Sequence, residues 1–112
     1  MPDPKGPWTI NGNGFDGTLW IEGTDPAGAL LPSSTVYGER IVGFWDDAAW
    51  KLTFVRPGDP NDPSSVQIYT GYLMEAQADG ALSFAGSFEA FAGTGATAER
   101  VVYGWYATRP TS

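Results

Sequence analysis

Apolar and polar residues alternate along most of this chain with a period of two, the signature of half-buried β-strands. From Phe15 to Glu22, Leu19 and Ile21 share one face while Thr18, Trp20 and Glu22 take the other. From Trp50 to Arg56, Trp50, Leu52 and Phe54 fall together, opposite Lys51 and Thr53. Between Ala81 and Phe91, Leu82, Phe84 and Phe88 align with Gly86, and Ser83, Ser87 and Glu89 face the other way. Arg100–Thr108 sets Val101, Tyr103 and Trp105 against Val102, Gly104 and Tyr106, so both of its faces are largely apolar. Shorter strands are predicted at Trp8–Asn11, Leu30–Tyr37, Arg40–Trp45 and Gln67–Met74. Pro32 marks the Leu30–Tyr37 strand as an edge, a bulge or a strand start, because proline donates no ladder hydrogen bond. Phe44–Arg56 is long and free of Gly and Pro, but its period of two makes it strand and not helix.

Turn signals separate these runs. They are Gly12-Asn13-Gly14, Thr24–Gly28, Gly38-Glu39, Asp46–Ala49, the polar loop Pro57–Ser65, Glu75–Gly80 and Gly93–Ala98. Connections this short join only antiparallel neighbours, since a parallel crossover needs about a dozen residues or more. The predicted fold is therefore all-β: an antiparallel up-and-down barrel, a meander of about eight strands, closed so that no edge stays unpaired. A chain of 112 residues closes one core, so residues 1–112 form a single domain, with 1–6 and 110–112 read as flexible ends. Gly43, Gly71, Gly86 and Gly104 fall near strand centres, where a barrel needs sharp coiling or room for a facing ring.

Composition narrows function mainly by exclusion. Thirteen acids against six bases leave a net charge of −7, which favours solubility and disfavours nucleic acid or an anionic membrane as partner. There is no cysteine and no histidine, which removes disulfides, thiolates, the usual general base and the commonest metal ligand. No apolar run is long enough to span a bilayer. The opening Met1–Gly6 lacks the apolar core of a signal peptide, so the default expectation is cytoplasmic; a leader cleaved ahead of Met1 would leave no trace. Asp46-Asp47 reads as a solvated turn, because an acid–base couple needs a cleft and a raised pKa. Asp59-Pro60-Asn61-Asp62 offers oxygen ligands but lacks the glycine and terminal glutamate of a calcium loop. Neither a metal nor a cofactor is expected.

Five Trp, five Tyr and six Phe are the positive signal. Tyr37, Trp45, Trp50, Tyr69 and Trp105, with the amides of Asn11 and Gln67, are the candidate ligand-binding residues. Amphipathic rings with a few amides are what a small-molecule pocket uses. The competing reading of the same rings is a plugged core or a subunit interface.

These residues carry a resemblance. Trp8-Thr-Ile-Asn11-Gly-Asn-Gly14, Ser34-Thr35-Val36-Tyr37, Ile41-Val42-Gly43-Phe44-Trp45-Asp46, Leu52-Thr53-Phe54-Val55 and Ile68-Tyr69-Thr70-Gly71-Tyr72 are similar, in order, to successive strands of the avidin and streptavidin group of calycin-type barrels. The resemblance implies an eight-stranded barrel that binds a small molecule without catalysing a reaction. The departures bear on which molecule. Asn11 is offset by one from the family spacing, and Phe15 stands near the position of the family's turn serine. Val101–Thr108 has no acid matching the family's aspartate, and Leu82–Phe91 has no tryptophan. A site missing its hydrogen-bond partners loses orders of magnitude in affinity, so tight biotin binding is not expected. The leading expectation is a non-enzymatic, avidin-like barrel that holds a small apolar or aromatic ligand, not biotin, in its mouth. Strands apolar on both faces add homo-oligomerisation, because an outer apolar face usually packs on another subunit. The alternatives are a filled structural or protein-interaction barrel acting through oligomerisation and, last, a barrel isomerase or cyclase relying on Tyr, Asp or Glu.

Overall fold

The computed structural model of the chain describes residues 3–92 and 95–109. The strands are β1 Gly6–Gly12, β2 Phe15–Ile21, β3 Thr35–Val36, β4 Glu39–Arg40, β5 Val42–Asp46, β6 Lys51–Arg56, β7 Gln67–Glu75, β8 Leu82–Ala92 and β9 Glu99–Thr108. They form one nine-stranded sheet in the order β4-β3-β2-β1-β9-β8-β7-β6-β5. Every pairing is antiparallel, and the first strand pairs with the last, from Thr9 opposite Thr108 to Gly12 opposite Trp105. That pairing curls the meander round on itself. The two strands at the ends of the order, β4 and β5, follow each other in the chain with only Ile41 between them. The remaining gap is partly bridged where Leu30 N–H donates to the Gly43 carbonyl (2.9 Å) and Trp45 N–H to the Gly28 carbonyl (2.7 Å). The fold is thus an all-β, up-and-down antiparallel sheet, nearly closed into a barrel.

The strand number differs from the sequence expectation, nine instead of eight, for a local reason. Leu30–Tyr37 is not continuous: Ser34 N–H donates to the Leu31 carbonyl (3.1 Å), closing a turn around Pro32. Leu30 bridges Thr24, and Thr35 and Val36 alone pair with β2. The facing run Arg40–Trp45 passes this bulge and breaks at Ile41, giving β4 and β5. Asn13 and Gly14, with φ of 51° and 89°, form the left-handed two-residue turn that the Asn-Gly dipeptide favours between β1 and β2.

Inward faces follow the predicted alternation. Trp8, Ile10, Leu19, Ile21, Leu52, Phe54, Tyr69, Phe84 and Ala107 are buried, and Val101, Tyr103 and Trp105 turn inward together on β9. Trp105 crosses the middle of the barrel. Its indole N–H reaches the carbonyls of Thr70 (3.2 Å) and Ser87 (3.1 Å). The ring lies over Gly71, where a Cβ would collide with it, and Gly71 pairs directly with Gly86, whose Cβ would strike the Thr70 carbonyl. Two glycines side by side are what let a tryptophan fill the barrel at this level.

Residues 3–6 are anchored, although the sequence reads them as a flexible end. Pro4 is buried and its carbonyl accepts the Trp8 indole N–H (2.8 Å). The Arg109 guanidinium lies 4.3 Å from the Trp8 ring centroid and donates to the carbonyls of Asp3 (2.7 Å) and Lys5 (3.1 Å). Residues 1–2 and 110–112, and 93–94 in the Gly93–Ala98 turn, lie outside the described residues. Among the described residues no helix is long and apolar enough to cross a membrane.

Candidate functional site

Antiparallel alternation sends the β1–β2, β3–β4, β6–β7 and β8–β9 connections to one end of the barrel, here called the mouth. The β2–β3, β5–β6 and β7–β8 connections and the N-terminal residues lie at the other, the base. A cavity of about 450 Å³ opens at the mouth.

Tyr37 is its most constrained wall. Tyr37 and Gly38 are the central residues of the β3–β4 hairpin, with φ of 50° and 79°; the left-handed region is unusual for an aromatic residue. The rest of the barrel holds the ring there. It lies on Gly17 of β2, where a Cβ would occupy the same space as the ring. The hydroxyl donates to the Phe15 carbonyl (2.6 Å) and accepts from Gly12 N–H (3.0 Å). Burial raises the pKa of this phenol, so it stays protonated at neutral pH.

Arg56, the last residue of β6, stacks over this ring with its guanidinium carbon 5.2 Å from the centroid. Nε and Nη2 donate to the two carboxylate oxygens of Glu39 (2.7 and 3.1 Å), and Nη1 donates to Gln67 Oε1 (3.3 Å). The paired hydrogen bonds hold the Glu39 carboxyl below its ordinary pKa and raise that of Arg56. Gln67 Oε1 also accepts the Tyr69 hydroxyl (2.8 Å). The Tyr69 ring is sandwiched between Phe54 and Phe88, each at 4.6 Å, and burial pushes its hydroxyl up to about 12. Phe88 in turn faces Tyr103 at 5.5 Å. The cavity therefore has aromatic walls from Phe15, Tyr37, Tyr69, Phe88, Phe91 and Tyr103, and polar groups from Asn13, Arg56 and Gln67.

Of the candidates named from sequence, Tyr37, Gln67 and Tyr69 meet at this mouth. Asn11 stands beside it but is occupied: its amide donates to Asp16 (2.8 Å) and accepts from Gly14 N–H (3.0 Å), fastening the hairpin. Trp105 plugs the middle. Trp45 and Trp50 belong to the base, Trp45 in edge contact with Phe84 (6.1 Å) and Trp50 at the end of the β5–β6 turn with φ of 54°. Arg56, Phe88 and Tyr103 line the mouth without having been singled out from sequence. Strand parity is the signal that finds them, since β6 and β8 end, and β7 and β9 begin, at the same end as the Tyr37 turn.

The base also has a cavity, about 390 Å³, beside Trp45 and the carboxylates of Asp3, Asp25, Asp46 and Asp47. Those carboxylates serve their own loops. Asp25 accepts from Ala27 and Ala29 N–H, Asp46 from Ala48 and Ala49 N–H, Asp3 from Lys5 N–H, and Asp47 from the Trp45 indole (3.2 Å). In the β6–β7 loop, Asp59 accepts from Asn61 N–H, and Asp62 caps the short 3-10 turn at Pro63–Ser65. No group of acids poised to hold a metal ion occurs among the described residues.

Compared with known proteins, the chain matches no family model, no curated protein and no solved structure.

Proposed function

We propose that this protein is a non-enzymatic, small-molecule-binding barrel of avidin-like type that takes a small, flat, apolar or aromatic ligand in its mouth, and not biotin. The observation carrying this reading is the cavity of about 450 Å³, a size suited to a small ligand, with rings on its walls and hydroxyl, amide and guanidinium groups at its rim. The mouth is built ahead of any ligand: Tyr37 is held at both ends of its hydroxyl, and Tyr69 is stacked on both faces. Preorganisation of this kind limits the entropy lost on binding. Acid–base turnover would have no carboxylate in the cavity's described lining to draw on, and the Tyr37 and Tyr69 phenols there are raised in pKa. Isothermal titration with 2-naphthamide and with biotin tests the reading. The expected result is saturable one-to-one binding of the naphthamide and no submicromolar biotin affinity; submicromolar biotin binding or heat from neither compound would overturn it.

A second reading, homo-oligomerisation, is favoured by the outer face of β7 and β9. Ile68, Tyr72, Met74, Val102 and Tyr106 are all at least 40% exposed there. Thr70, Ser87 and Gly104 align across the strands between them, and the Glu89 that separates Ile68 from Val102 is paired with Arg100. Light scattering decides this one: a strict monomer at high micromolar concentration contradicts it.

A further inference from the structure

We infer that the ligand of the mouth is an aromatic carboxylic acid, whose carboxylate takes the Arg56 guanidinium in place of Glu39. The inference deepens the binding reading above and rests on it. It starts from an asymmetry in the ion pair at the rim. Arg56 is fixed from three sides: its guanidinium lies over Tyr37, donates to Gln67 and donates to Glu39. Only a quarter of its side chain is exposed. Among the described residues Glu39 has Arg56 as its one hydrogen-bonding side-chain partner, and it is 47% exposed, beside a two-residue hairpin turn. The cation is the built part and the carboxylate the replaceable part.

Position agrees with this. Arg56 lines the mouth cavity and also a smaller one of about 320 Å³, and Glu39 lines only the smaller one. Within the mouth cavity the described lining carries Arg56 as its one charged side chain. In a chain with 13 acids and 6 bases, an aromatic-walled space with a cation and no anion is an exception to the general surface. A guanidinium fork matches a carboxylate in bidentate geometry, and Glu39 already demonstrates that match at 2.7 and 3.1 Å. A flat aryl group against Tyr37, Phe88 and Tyr103 would bring an attached carboxylate to the boundary where Arg56 stands. Glu39 would then swing into solvent, where a half-exposed glutamate is well hydrated. Glu39 thus acts as a resident competitor that keeps the guanidinium paired when the mouth is empty.

Calorimetric titration of the full chain with 2-naphthoate and with its neutral isostere 2-naphthamide tests this, in the native protein and in Glu39→Gln and Arg56→Gln. The expected result is about tenfold tighter binding of the acid than of the amide. Glu39→Gln tightens the acid several-fold and leaves the amide unchanged; Arg56→Gln abolishes the difference between them. Because Glu39 is half exposed, its variant keeps the test sound even if Arg56→Gln fails to fold. Equal affinities of acid and amide that Glu39→Gln does not alter would overturn the carboxylate inference and leave the aromatic-binding reading standing. No binding of either probe to the native protein or to Glu39→Gln would overturn both.

Discussion

Each end of the barrel holds an aromatic residue in the left-handed region, Tyr37 at the mouth and Trp50 at the base, and the two are put to different use. At the mouth the strained residue lines the cavity. Its hydroxyl is held by Gly12 and Phe15, and its face is covered by Arg56. At the base the Trp50 ring packs against the core, and its carbonyl accepts Leu73 N–H (2.8 Å), so the turn is tied into the sheet. The polar groups divide in the same way. Carboxylates at the base accept mainly from the N–H groups of their own loops, whereas at the mouth Gln67 and Arg56 are held by side chains of other strands and line a cavity. Strain held by surrounding structure beside a cavity is what singles out the mouth as the candidate site.

Breaking the shared middle should have the largest effect. Gly86→Ala forces a methyl into the Thr70 carbonyl and is expected to lower stability by about 3 kcal/mol, read as a drop in urea midpoint. Both ends lose their frame together in that variant.

The next effect separates the ends by pH. The stability provided by the neutral Tyr69 phenol is complete below pH 10.0, the ordinary value, and is lost as pH rises to about 12. In that window the unfolded chain gives up a proton that the folded chain keeps, so stability should fall by about 2 kcal/mol. Tyr69→Phe should start about 1 kcal/mol less stable at neutral pH and show a smaller alkaline loss in denaturant titrations at stepped pH.

Tyr37→Phe should cost about 1.5 kcal/mol, because it strips the partner from Gly12 N–H and one donor from the Phe15 carbonyl. The same variant should weaken 2-naphthamide binding, which a purely structural role for the hydroxyl would not require. Asp47→Asn at the base is the control. Its carboxylate is exposed and its contact with Trp45 is long, so less than about 0.5 kcal/mol is expected, with no change in probe affinity.

Much of the scaffold was legible in the sequence because its signals are local. The alternation around Leu19, Leu52, Phe84 and Trp105 sets which side chains turn inward, and Asn13-Gly14 specifies its own turn. The split at Ile41 was not legible, because it depends on a bulge at Leu31–Ser34 in a different segment. Tyr37 and Tyr69 were recognisable as candidates by type, but a set of aromatic residues has no address in the fold. Trp45 is only eight positions from Tyr37, and the strand between them carries it to the opposite end. Arg56 borders a polar loop and resembles any solvated basic residue until Tyr37, Gln67 and Glu39 are seen around it.

In the proposed binding mode ligands enter at the mouth and not at the base or the outer face. The most direct test maps backbone amide chemical shifts of the labelled protein during titration with 2-naphthamide. Saturable shifts are expected at Gly12, Asn13, Tyr37, Gln67, Phe88 and Tyr103, with Gly28, Trp45 and Asp47 unmoved. Shifts concentrated at those base residues, or along the outer face at Tyr72 and Tyr106, would contradict it.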